Sequence, residues 1–107
     1  MSTNLRRSTR VQLRLVITAL GLAEGQTSEG ETVTVNLHGA LIHTARAFSV
    51  GEKIEIEVFI TGKRAEAEVV WSAPEKPLTY GVELAKPQNI WGLGLPPDDW
   101  NPDEWRH

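Results

Sequence analysis

Three arginines, Arg6, Arg7 and Arg10, fall within the five residues RRSTR. A guanidinium stays charged at any physiological pH and presents its N–H donors as a planar fork. The fork grips two phosphate oxygens at once, fits the O6/N7 edge of guanine and stacks on base faces. Arg6 and Arg10 are four residues apart with Arg7 between them, an arrangement suited to a guanine-bearing phosphodiester. The same cluster is also what a solvated basic terminus looks like, so its meaning depends on the rest of the chain.

Other residue types that carry chemistry are sparse. There is no cysteine, which removes thiol chemistry and zinc-finger spacing. The histidines are His38, His43 and His107; the first two are not at a recognised ligand spacing, so no metal site is expected. No serine stands in a nucleophile-elbow context and no glycine-rich phosphate loop opens a helix. Glu52, Glu55, Glu57, Glu66 and Glu68 alternate with apolar residues and read as a solvated outer face, not as acid–base pairs. The sequence points away from an enzyme and from a bound cofactor.

The chain of 107 residues carries a net charge of -3, fits one domain and does not need staples. The net charge and the lack of an aromatic-and-basic stripe on any one strand argue against DNA or RNA as partner. The charge is unevenly placed. Arg6, Arg7, Arg10 and Arg14 precede the first acid, while Asp98, Asp99, Asp103 and Glu104 crowd the other end. Pairing of that acidic tail with the arginine arm would compete with phosphate for the same guanidinium groups. No stretch reads as a membrane span or a signal peptide, so a cytoplasmic protein without membrane insertion is expected.

The elements that must position these groups are strands. Val11, Leu13, Leu15, Ile17 and Ala19 alternate with mostly polar neighbours, the period of a half-buried strand. Gly21 to Gly30 reads as a loop. ETVTVNL comes next, with Val33 and Val35 on one face and Thr32 and Thr34 on the other, and ALIHTARAF resumes beyond Gly39. KIEIEVFI sends Ile54, Ile56, Val58 and Ile60 inward. Thr61–Arg64 reads as a hairpin turn. AEAEVVW places Ala65, Ala67, Val69 and Trp71 on one side, and TYGVELA is a sixth strand. Six strands at roughly ten-residue spacing without a long helical period indicate a small antiparallel barrel or sandwich. A short helical turn is expected at Pro87–Trp91, with Ile90 and Trp91 closing one mouth, followed by an acidic Trp/Pro-rich tail.

In this order the chain resembles a PilZ domain, the bacterial receptor module for cyclic di-GMP. The family opens with R-x-x-x-R before its first strand, which Arg6 and Arg10 match. Its second motif is D/N-x-S-x-x-G, and the corresponding segment here is TVNLHGALI. VVW (residues 69–71), GVEL (residues 81–84) and the proline-led segment with Trp91 are also similar to the family. The likeness covers about residues 5 to 95. It implies an all-β fold, a six-stranded antiparallel barrel over residues 11–95. A flexible basic arm (residues 1–10) would precede the barrel and an acidic Trp/Pro-rich tail (residues 96–107) would come after it.

The second motif departs from the family pattern. With Asn36 in the D/N position, His38 stands where serine belongs and Gly39 comes two residues early, a shortened loop. With Gly39 as the motif glycine, Thr34 takes the D/N position and Asn36 the serine position. The resemblance implies a non-enzymatic receptor that binds cyclic di-GMP through Arg6, Arg7, Arg10, Thr34, Asn36, His38 and Gly39, and that signals to a downstream protein. The alternative is a PilZ-like protein-interaction module that no longer binds nucleotide, for which the tail tryptophans would be anchors.

Overall fold

The computed structural model describes residues 9–100. Seven strands form one antiparallel sheet: β1 Val11–Gln12, β2 Val16–Gly21, β3 Thr27–Asn36, β4 Gly39–Thr44, β5 Lys53–Val58, β6 Arg64–Ser72 and β7 Thr79–Leu84. The strand order is β1-β3-β2-β5-β6-β7-β4, and β4 returns to pair with β3. That last pairing closes a six-stranded barrel, with β1 as a short extra strand, and closure removes the free edges an open sheet would expose.

Alternation fills the interior as expected of a half-buried strand. Ile17 and Ala19 of β2, Ile54, Ile56 and Val58 of β5, and Ala65, Ala67 and Val69 of β6 are buried in one cluster. Alanines on β6 suit a narrow interior, where a larger residue would collide with the facing wall. Tyr80 of β7 sits edge-on to Phe48, its hydroxyl accepting a hydrogen bond from the Phe48 N–H at 3.0 Å.

Several departures from simple alternation come from bulges and turns. The first strand is broken at residues 13–15. β1 pairs Val11 with Val35 and Gln12 with Thr34, whereas β2 pairs Val16 with Glu31. The one-residue shift between them places the extra residue in 13–15 of the first strand, and on the other side of β3 the β3–β4 ladder slips by one at Val33. Val33 is therefore exposed, and Thr32 turns into the core beside Val35. The Thr32 hydroxyl replaces the missing ladder bonds, donating to the Leu13 carbonyl and accepting from the Leu15 N–H.

The segment Gly21–Gly30 is not all loop: β2 runs to Gly21, and β3 already begins at Thr27. Strand β5 ends at Val58, so Ile60 lies in the next turn, 76% exposed, instead of inside. A second bulge between Val69 and Trp71 flips Trp71 to the outer face, where it is 49% exposed.

There is no helical turn at Pro87–Trp91. The Asn89 side chain bridges to the Leu93 backbone instead, and Gly92 follows with φ 83°. Among the described residues the helical turn is a 3-10 turn at Asp98–Trp100. Ile90 and Trp91 are nonetheless buried with the barrel core. The Trp91 Nε1–H donates to the Asn36 carbonyl at 2.9 Å, and the Gln88 N–H to the Leu37 carbonyl at 3.0 Å. Thr61 donates to the Ile90 carbonyl at 3.1 Å. These partners sit in the β3–β4 and β5–β6 turns, which lie at the same end of the barrel, so residues 88–91 cover that end. Among the described residues no helix is long and apolar enough to cross a membrane.

Candidate functional site

A groove of about 470 Å³ crosses the outer wall of β3, β4, β7 and β6 near the covered end. The pairing explains its shape. Thr34 stands opposite Leu41, Leu41 opposite Gly81, and Gly81 opposite Trp71. One step further along the same face, Asn36 stands opposite Gly39 and Gly39 opposite Glu83. Each row thus has a glycine where its neighbours carry side chains. The missing side chains leave a trough whose floor is backbone, and Trp71 and Glu83 form its β6–β7 side.

Arg10 lines the opposite end. It immediately precedes Val11, the first residue paired with β3, so its place beside Asn36 follows from the β1–β3 ladder. Arg14, the next basic residue, is directed elsewhere, its Nε 2.7 Å from Glu31 Oε1 in an exposed ion pair. Of the seven residues singled out from the sequence, Arg10, Thr34, Asn36, His38 and Gly39 are brought together on this groove. Arg6 and Arg7 lie outside the described residues.

The hairpin that carries four of them is built around Asn36. Its Oδ1 accepts from the His38 N–H at 2.9 Å and from the Gly39 N–H at 2.7 Å. This side-chain-to-backbone turn fixes the two-residue loop Leu37–His38 without any positive φ. Leu37 is buried and His38 is turned to the groove rim. The His38 carbonyl accepts from the Leu84 N–H at 2.7 Å, which ties the loop to the end of β7. Gly39 has a packing reason of its own: a Cβ there would collide with the Val82 carbonyl.

Sequence reasoning missed Leu41, Val70, Trp71, Gly81 and Glu83, which also line the groove. The available signal was Gly81, since a glycine inside a strand marks an open place on the sheet face. The β6 bulge that aims Trp71 over that place has no sequence signature. Among the described residues no group of three or more His, Asp or Glu is placed to hold a metal ion.

Chemically, the groove offers a guanidinium at one end, a half-exposed indole and a carboxylate at the other, and backbone between. The guanidinium suits an anionic group and the indole a planar ring, while the carboxylate disfavours negative charge at its own end. No protein-family model matches the chain, and no curated protein matches it either.

Proposed function

We propose that this groove receives cyclic di-GMP and that the protein is a non-enzymatic receptor of the PilZ type, acting in the cytoplasm. The observation that carries this reading is the placing of Arg10 and Trp71 on one glycine-floored groove. The Arg10 guanidinium suits a phosphate or the O6/N7 edge of guanine. The Trp71 ring supplies a face for base stacking. The groove volume falls within the range of small-molecule sites.

The residues of both motif alignments line this groove. Thr34, Asn36 and Gly39 line it, as the alignment with Gly39 as motif glycine requires, and so does His38, as the shortened-loop alignment requires. Thr34 offers its hydroxyl to the ligand under the first alignment, while under either the Asn36 oxygen is engaged by the turn. Arg6 and Arg7, four and three residues before Arg10, would bring two further guanidinium groups.

Calorimetric titration of cyclic di-GMP into the purified chain tests the reading, with Arg10→Ala as control. Saturable binding that weakens at least about tenfold in the variant supports it, the loss expected for one charge-assisted contact. No heat at a large ligand excess contradicts it.

A second reading, a protein-interaction module, is favoured by a different feature. Val16, Phe59 and Ile60 are exposed, and the Phe59 N–H donates to the Val16 carbonyl at 3.0 Å, so the three are neighbours at one end of β2 and β5. Clustered exposed apolar side chains are typical of protein contacts. A receptor that signals to a downstream protein needs such a surface too, so this feature is compatible with both readings.

A further inference from the structure

The residue before Arg10 is fastened by the tail. Trp100 Nε1–H donates to the Thr9 carbonyl at 2.7 Å, and the Thr9 hydroxyl donates to Asp99 Oδ2 at 2.8 Å. Trp100 itself is buried with the barrel core, and its N–H closes a turn onto the Pro97 carbonyl at 2.9 Å. The other Asp99 oxygen, Oδ1, is buried without a hydrogen-bond partner among the described residues. A buried orphan oxygen is a cost that a loosely lying surface loop would relax away. The anchoring of Trp100 holds the turn in place against that cost.

Arg10 is therefore clamped from both sides. Thr9 is tied to the tail, and Val11 is laddered to Val35 of β3. Between these two fixed points the Arg10 backbone has little freedom, and its side chain enters the groove from a defined root. We infer that Asp99 and Trp100 act as positioning residues: they hold Thr9 so that Arg10 is already placed at the groove before a ligand arrives. This inference rests on the groove being the ligand site. The tail then assists binding by removing an ordering cost, because a preset guanidinium loses less conformational freedom on contact. Asp99 meets a threonine hydroxyl here, so among the described residues it does not occupy the Arg10 guanidinium as a phosphate mimic would.

The test uses the full chain and three variants: Thr9→Val, which keeps shape and removes the hydroxyl; Thr9→Ser, which restores it; and Trp100→Phe, which keeps a buried ring and removes the N–H. Amide 15N relaxation on the ligand-free protein reads the clamp. The Arg10 order parameter should be near about 0.85 in the wild type and in Thr9→Ser, and fall towards about 0.6 in Thr9→Val and Trp100→Phe. An order parameter unchanged in both loosened variants overturns the inference.

Titration of cyclic di-GMP supplies the second arm. Thr9→Val should bind about five- to tenfold more weakly than the wild type, and the same substitution should have no further effect in an Arg10→Ala background. A general structural defect would lower affinity in both backgrounds. A loosened Arg10 with unchanged affinity also overturns the inference. If the wild type binds no cyclic di-GMP, the ligand reading fails, and the relaxation arm still decides whether the tail holds Arg10.

Discussion

Trp71 stands directly opposite Gly81, and a methyl group on Gly81 would come within 3.4 Å of Trp71 Cβ and 3.6 Å of its ring. The indole thus lies along the side of a strand that offers no side chain of its own. Its 49% exposure is out of character for a core tryptophan and fitting for a stacking platform. Trp71→Ala is expected to weaken cyclic di-GMP binding about ten- to hundredfold, the usual worth of one base–aromatic stack. Its stability, measured by urea unfolding, should change by less than about 1.5 kcal/mol, because much of the ring is already in water.

Gly39 carries the opposite expectation. Strands β4 and β7 approach so closely there that any Cβ meets the Val82 carbonyl, a backbone atom that cannot step aside. Gly39→Ala should destabilise the barrel by about 3 kcal/mol or more, read as a lower urea midpoint. Gly94→Ala, where a Cβ meets nothing within 4 Å, should leave the midpoint nearly unchanged. Equal, small effects at both positions would contradict the close approach.

Asn36 separates fold from binding. Its oxygen serves two backbone N–H groups of the hairpin. Asn36→Ala removes that acceptor and should cost about 1–2 kcal/mol of stability in the ligand-free protein. Asn36→Asp keeps the acceptor and should retain most of the stability. Thr34→Val, by contrast, alters a groove-facing hydroxyl and should change affinity more than stability.

Phe59 and Ile60 are 80% and 76% exposed beyond the end of β5. Replacing both with serine should shift stability by no more than about 0.5 kcal/mol per site, as for surface positions that contact no core. Affinity for cyclic di-GMP should stay the same, since neither residue lines the groove. A large loss of stability would mean that these side chains pack into the barrel.

Most of the barrel is legible from two-residue alternation, because the period that buries Ile54, Ile56 and Val58 is written in KIEIEV itself. What is not legible is where a ladder slips. One extra residue at Val33 and one between Val69 and Trp71 reverse the faces of Thr32, Val33 and Trp71. A bulge depends on the partner strand, so no local pattern announces it. The expectation for Ile60 failed for a simpler reason: the alternation continues for one more step after the strand has ended in a turn.

The candidate site was half legible. Residue types and spacing pointed to Arg10, and the resemblance to the family's second motif to the Thr34–Gly39 hairpin; the fold brings the two together. The opposite wall was out of reach. Trp71 and Glu83 come to the groove only through the β6–β7 and β4–β7 pairings, which join segments far apart in the chain. The tie between Thr9 and Trp100 spans almost the full described length. The opposite charges of the two ends suggested that they meet, but the contacts the structure describes run through a hydroxyl and an indole instead of a guanidinium.

The measurement that tests the central claim most directly is a titration of 15N-labelled protein with cyclic di-GMP, tracking amide and indole N–H shifts. The account predicts saturable shifts concentrated at Arg10, Thr34, His38, Gly39, Leu41 and Gly81, together with the Trp71 indole, and little change in the Val16–Phe59 region. Shifts centred elsewhere on the barrel, or none at saturating ligand, would contradict the assignment of this groove as the binding site.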